Sequence, residues 1–209
     1  QLINAQTNDW DWELIGRLGY PQEMFLPLSQ PGTLVGSFTK EIEEEVGFSC
    51  EVVLPATHDT GSAVMAVPGE GDKNLYISSG TWSLMGIENK TAICTEESRK
   101  RNFTNEGGYE YRYRYLKNIM GLWMIQSVRK ELENKYSFAE LCAMASRRSD
   151  FPSRVDVNDP VFLAPDSMIR AIREMCAKTG HPVPETPDEL AAVVYESLSD
   201  SYRETAEEI

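Results

Sequence analysis

The chain has 209 residues, 41% of them hydrophobic and 25% charged, a balance suited to a globular protein with a sizeable core. Its formal charge of −13 argues against nucleic acid or an anionic membrane as the main partner, since both call for a basic face. No run of about 18 apolar residues could span a membrane. Cysteines at 50, 94, 142 and 176 and histidines at 58 and 181 offer no CxxC pair and no His-rich metal site.

The opening "QLINAQTNDWDW" is polar and lacks the basic start of a secretory signal, so the expected compartment is the cytoplasm, with reduced thiols. In "TNDWDWELIGRLGYP", Asn8 or Asp9 is the predicted cap of a short helix that stops at Gly19, before Pro21. "GTLVGSF" reads as a strand. "TKEIEEEVGF" reads as a surface helix, with Ile42 and Val46 on its inner face and Gly47 as its stop. "CEVVLPA" is predicted to be a short strand buried on both faces, and "ATHDTGSAVMAVP" continues it into a small-residue helix that ends at Pro68.

After the turn "GEGDKN", "LYISSGTWSLMGIE" reads as two strands on either side of a Ser-Gly-Thr corner. "YEYRYRYL" alternates aromatic and charged residues and is predicted to be an amphipathic strand, with the tyrosines packed and Arg112 and Arg114 facing solvent. From "NIMGLWMIQ" onward the pattern is helical. Gly180 is placed as a helix stop. Thr186, Pro187 and Glu189 form a capping-box signature at the head of the last helix. The order is α/β first and helix-rich later, with a seam near residues 66–74.

The chain contains no GxxxxGK[ST], GxGxxG or GxSxG. "THDT" and "SSGTW", about twenty residues apart, remain as carriers of chemistry. Asp59 at a helix start can be a cap contributing about 1 kcal/mol, or a general base for a hydroxyl that attacks a phosphoryl group. The corner around Gly80 and Thr81 can be an ordinary hairpin turn, or a cradle of N–H groups and a hydroxyl for phosphate oxygens. Asn118 can cap a helix that begins at Ile119. Trp82 and Trp123 read as core or cleft-wall residues. Spacing by itself leaves these alternatives open.

Taken together, "ATHDTGSAVMAVP", "YISSGTWSLMGIE", "NEGG", "YLKNIMGLWMIQ" and "DPVFLAPDSMIRAIREMCAKTGHPVPETPDELA" resemble the FGGY family of carbohydrate kinases, in order and spacing, over nearly the whole chain. The resemblance implies part of a two-domain actin-like (ribonuclease-H-like) sugar kinase fold, with residues 1–68 ending the N-terminal domain and 69–209 belonging to an incomplete C-terminal, nucleotide-side domain. It implies ATP and Mg²⁺ as cofactors, and a ketose as substrate: L-rhamnulose phosphorylated at its 1-hydroxyl, or alternatively L-fuculose or another ketose; a non-catalytic ATP-binding actin-like module is the remaining alternative. Asp59 matches the catalytic base. His58, Thr60 and Asn118 match sugar contacts, while Gly80, Thr81 and Gln126 match nucleotide contacts, and no residue is assigned to a metal. Asn118 and Gln126 are placed about two turns apart on one helix. The resemblance also implies that a first phosphate loop and a glycine-rich adenine motif lie outside these residues, so the piece alone is expected to have little kinase activity.

Overall fold

A computed structural model describes residues 2–68 and 74–209. In chain order the elements are β1 (Ile3–Asn4), β2 (Asp9–Trp10), α1 (Trp12–Arg17), β3 (Leu34–Ser37), α2 (Lys40–Val46), β4 (Glu51–Val53), α3 (Asp59–Met65), β5 (Tyr76–Ser79) and β6 (Ser83–Asn89). They continue with α4 (Glu96–Lys100), β7 (Phe103–Gly107), β8 (Tyr113–Ile119), α5 (Trp123–Glu131), α6 (Phe138–Arg147), α7 (Met168–Lys178) and α8 (Pro187–Glu208). The pairs β1–β2 and β3–β4 form two-stranded sheets, and a four-stranded sheet has the order β5–β6–β8–β7. Two compact units divide the chain: Gln1–Asn74 with Ile87–Leu116, and Leu75–Gly86 with Lys117–Ile209. The turn expected over 69–74 lies, apart from Asn74, outside the described residues. No helix among the described residues is long and apolar enough to cross a membrane.

In the first unit, Asn8 and Asp9 do not cap α1. Asn8 turns the chain at φ 55° and Asp9 pairs with Asn4 in β2, so the cap falls to Asp11, whose carboxylate accepts the Leu14 N–H at 3.0 Å. Tyr113 anchors this hairpin by donating its hydroxyl to the Ala5 carbonyl at 2.9 Å, and burial holds that phenol above its ordinary pKa. The expected burial of β4 is also corrected. Glu51, Val52 and Val53 are all exposed, because among the described residues β4 pairs only with β3. Ile42 and Val46 of α2 are likewise exposed, at 40% and 44%. The tyrosine stripe breaks as well: Tyr109–Tyr111 is a 3-10 turn with Glu110 and Tyr111 at φ 55° and 56°, and the strand begins only at Tyr113.

The second unit holds the main core. Met85, Ile119, Met120 and the inward faces of α5, α6, α7 and α8 close around Phe162, which is fully buried. Leu190 to Val194 of α8 are all buried, so this helix is covered on more than one side. Each such large apolar side chain contributes about 1.5–3 kcal/mol relative to an exposed one. The helix ends follow local chemistry. Ser137 and Glu140 close a capping box on α6, and Thr186 and Glu189 close another on α8. The carboxylate of Glu131 at the end of α5 accepts the Met168 N–H and the Ser167 hydroxyl at the head of α7. The far end of α7 is a Schellman motif: Gly180 at φ 75° donates to Ala177 and His181 donates to Cys176. All four cysteines are free thiols, and burial pushes the Cys176 thiol up.

Candidate active site

The strand β4 hands the chain through Leu54, Pro55, Ala56 and Thr57 to α3. His58 occupies the N-cap position without a side-chain cap bond, and Asp59 is the first helical residue. A capping aspartate stands one residue earlier and accepts from the second or third helical N–H. Asp59 instead accepts the adjacent Thr60 N–H through Oδ1 at 2.6 Å, with the Thr60 hydroxyl at 3.4 Å and His58 Nδ1 at 3.5 Å. Its side chain is 96% exposed and that of His58 is 54% exposed, whereas Thr60 is buried. Oδ2 makes no hydrogen bond among the described residues. The result is an open carboxylate, oriented by the helix start. Ser62 ties the turn down by donating its hydroxyl to the Ala56 carbonyl at 2.7 Å.

Arg114 departs from its expected solvent-facing position. It is 3% exposed, and its Nη2 lies 3.1 Å from Glu106 Oε2 without hydrogen-bond alignment. Among the described residues, its Nε and Nη1 have no hydrogen-bond partner. The guanidinium lies against Gly61 of α3: a Cβ there would be 2.8 Å from Nη1 and 3.1 Å from Cζ. An unpaired buried donor costs about 1–3 kcal/mol, so this arrangement needs compensation elsewhere. Arg112 is different. Its Nε donates to Glu88 at 2.8 Å near the surface.

In the second unit, β5 and β6 form the expected hairpin, with Ser79 paired to Ser83 across Gly80, Thr81 and Trp82. The Gly80 N–H is taken up by the Trp82 carbonyl at 3.0 Å. The carbonyls of Gly80 and Thr81 accept the N–H groups of Leu122 and Trp123 at 3.0 and 3.1 Å. Because Leu122, the N-cap of α5, offers no side-chain cap, these carbonyls satisfy donors that a helix start leaves orphaned. Gly121 makes the approach possible: a Cβ there would be 2.8 Å from Ser83 N and 3.0 Å from Gly80 O, and would overlap Ser83 Oγ. Ser83 is fully buried, and its hydroxyl meets the Tyr202 hydroxyl of α8 at 2.6 Å.

The Thr81 hydroxyl donates to Gln126 Oε1 at 3.4 Å, so the structure brings these two predicted residues together. Gln126 also lines a cavity with Trp123, Ser127, Lys130, Glu131 and Pro165. Asn118 does not share their helix. It lies exposed near the end of β8, and α5 begins only at Trp123, so the predicted helix start at Ile119 is corrected. The chain stays extended through Ile119 because Tyr113–Leu116 and Ile119 are all buried within a strand. Sequence reasoning missed Gly121, Tyr202 and the Arg114–Glu106 pair. "NEGG" and "MGLW" stood out as segments, but nothing local pointed to their partners in space. Among the described residues, no group of three or more His, Cys, Asp or Glu could hold a metal ion.

Solved sugar kinases share this fold. A ligand-bound xylulose kinase from Lactobacillus acidophilus superimposes on 99% of this chain, and on 42% of its own, with a TM-score of 0.68 at 14% identity. A gluconate kinase from the same organism matches 99% of this chain, and 42% of its own, with a TM-score of 0.67 at 15% identity. The architecture is therefore that of the carbohydrate kinases. Residues 75–209 match the C-terminal domain of the FGGY family of carbohydrate kinases, and the chain belongs to that family. It is 52% identical over all 209 residues to a rhamnulokinase of Halalkalibacterium halodurans and 49% identical to one of Oceanobacillus iheyensis. In both cases the chain spans 44% of the relative's length.

Proposed function

We propose that this chain is part of an ATP-dependent sugar kinase that transfers the γ-phosphoryl group of ATP to the 1-hydroxyl of L-rhamnulose, giving L-rhamnulose 1-phosphate in the cytoplasm. The observation that carries the reading is Asp59: an exposed carboxylate at the first residue of α3, in a chain of a carbohydrate kinase family. Asp59 accepts the sugar hydroxyl proton as the oxygen attacks phosphorus. His58, Thr60 and Asn118 contact the sugar. Gln126 contacts the nucleotide from the cavity wall, and Gly80 and Thr81 face the phosphates. The Gly80 N–H is already bonded within the corner, so the donors left for a phosphate are the N–H groups beyond Gly80, joined by the Thr81 hydroxyl when it turns away from Gln126 Oε1. The choice of L-rhamnulose rests on the two relatives named rhamnulokinase.

Magnesium would arrive with the triphosphate and neutralise charge developing on it. Such a site needs only one or two carboxylates beside phosphate and water oxygens. The domain boundary is proposed after residue 68, with the nucleotide-side domain following it.

The test is Asp59→Asn in the protein at the length of its relatives. The expected result is a loss of kcat of several orders of magnitude, with ATP affinity changed only modestly. A variant with near wild-type kcat would refute the base assignment. The same assay run over L-rhamnulose, L-fuculose and other ketoses decides the sugar, and a higher kcat/KM for another ketose would replace L-rhamnulose.

A further inference from the structure

Beyond Asp59 and the Thr81 corner, "NEGG" and the buried arginine of β8 stand without an assigned role. Both belong to the same unit as α3. Glu106 from "NEGG" lies 3.1 Å from Arg114, and Arg114 lies against the first turn of α3 at Gly61, two residues after Asp59. The guanidinium is almost wholly out of solvent, with Nε and Nη1 unpartnered among the described residues. A side chain held only for packing would not need a charge in such a place, because an apolar residue of similar volume fills space without unpaired donors. Gly61 is the partner in this contact. Its backbone meets the arginine so closely that even a methyl group would displace Nη1 or the helix.

We propose that Arg114 is a positioning residue for the phosphoryl transfer. Its guanidinium, held by Glu106, fixes the height and orientation of the first turn of α3 and so of the Asp59 carboxylate. The inference rests on the assignment of Asp59 as base. Arg114 touches neither sugar nor nucleotide in this role. It acts through the Gly61 backbone, and the glycine is the point of contact.

The experiment uses the protein at the length of its relatives and compares Gly61→Ala, Arg114→Met, Arg114→Lys and the double variant Gly61→Ala/Arg114→Lys. A displacement of the base by about an ångström costs roughly a hundredfold in rate. Gly61→Ala and Arg114→Met are therefore expected to lower kcat by about ten- to a hundredfold, with the KM for ATP within about twofold of wild type. Arg114→Lys keeps the charge on a slimmer end and is expected to recover part of the loss seen with methionine. Combined with Gly61→Ala it makes room for the methyl group, so the double variant loses less than the product of the two single losses. Glu106→Gln weakens the hold on the arginine and carries the same kcat test if Arg114→Met does not fold.

Wild-type kcat in folded Gly61→Ala and in Arg114→Met or Glu106→Gln overturns the inference. So does a loss that appears only in melting temperature or in the KM for ATP, or one that multiplies in the double variant. Asp59→Asn is assayed alongside. If it stays active, the base assignment falls and takes this inference with it. If it is inactive while kcat is untouched in the other variants, only the positioning role falls.

Discussion

Gly121 shows how tightly one position can be specified by its neighbours. Its Cα faces Ser83 N and Gly80 O so closely that an added methyl would lie 2.8 and 3.0 Å from them, and both are backbone atoms of a hydrogen-bonded hairpin that cannot swing aside. Gly121→Ala is therefore expected to destabilise the second unit by about 1–3 kcal/mol, the usual penalty for overpacking. Unfolding by denaturant measures it, and an unchanged midpoint would mean that the hairpin yields without cost. None of this was legible in the sequence. Ser83 stands 38 positions before Gly121 and Tyr202 a further 81 after it. Asp59 was the opposite case: "THDT" after an apolar run announced a helix start, and only its place at the first helical residue, rather than the cap, came from the structure.

Capping boxes tie the stability of α6 and α8 to pH. The Glu189 carboxylate accepts the N–H groups of Glu185 and Thr186, which holds its pKa below the ordinary value of 4.5 despite some burial. Glu140 is lowered in the same way by the Ser137 N–H and hydroxyl. A carboxyl lowered in the folded state contributes stability that is fully present above its unfolded value and is lost as pH falls through the folded one. The contribution from these two groups should thus be intact above about 5 and decline below the ordinary carboxylate value of 4.5. Glu189→Gln keeps an acceptor but no charge, so its stability should fall less steeply than wild type between neutral pH and pH values below that range. Parallel acid limbs in urea-melt profiles would contradict this.

The same helices show what could be read ahead. Thr186, Pro187, Glu189 and Gly180 are signals carried within one turn: the first three place the start of α8, and Gly180 places the end of α7. The extent of β8 and the exposure of β4 depend on which elements lie alongside, and periodicity carries no information about that. Hence Arg114 was misplaced in solvent, Asn118 on a helix, and Val52 and Val53 in a core.

The two units differ in how much apolar surface they enclose. The second unit closes a continuous core, whereas the first exposes Leu34, Val35, Phe48 and Val53 at 54%, 62%, 58% and 51%. Leu34 and Val53 are cross-strand partners, so they stand on one face of the β3–β4 sheet. An open apolar sheet face of this kind invites association. The relatives that this chain matches are more than twice its length, so most of each relative lies outside the matched region. As an isolated 209-residue chain, the protein is expected to self-associate despite its charge of −13. Leu34→Lys/Val53→Glu should reduce that association in sedimentation experiments at equal concentration. A wild-type chain that sediments as a monomer would show that the face is too small to matter.

The carbonyls of Gly80 and Thr81 give the protein a built-in spectroscopic reporter. In most helices the leading amides exchange freely with solvent, but those of Leu122 and Trp123 are donated to the corner. Their exchange rates therefore register the state of the Ser-Gly-Thr turn. An isotope label at these two positions would follow the loop without any modification of the loop itself.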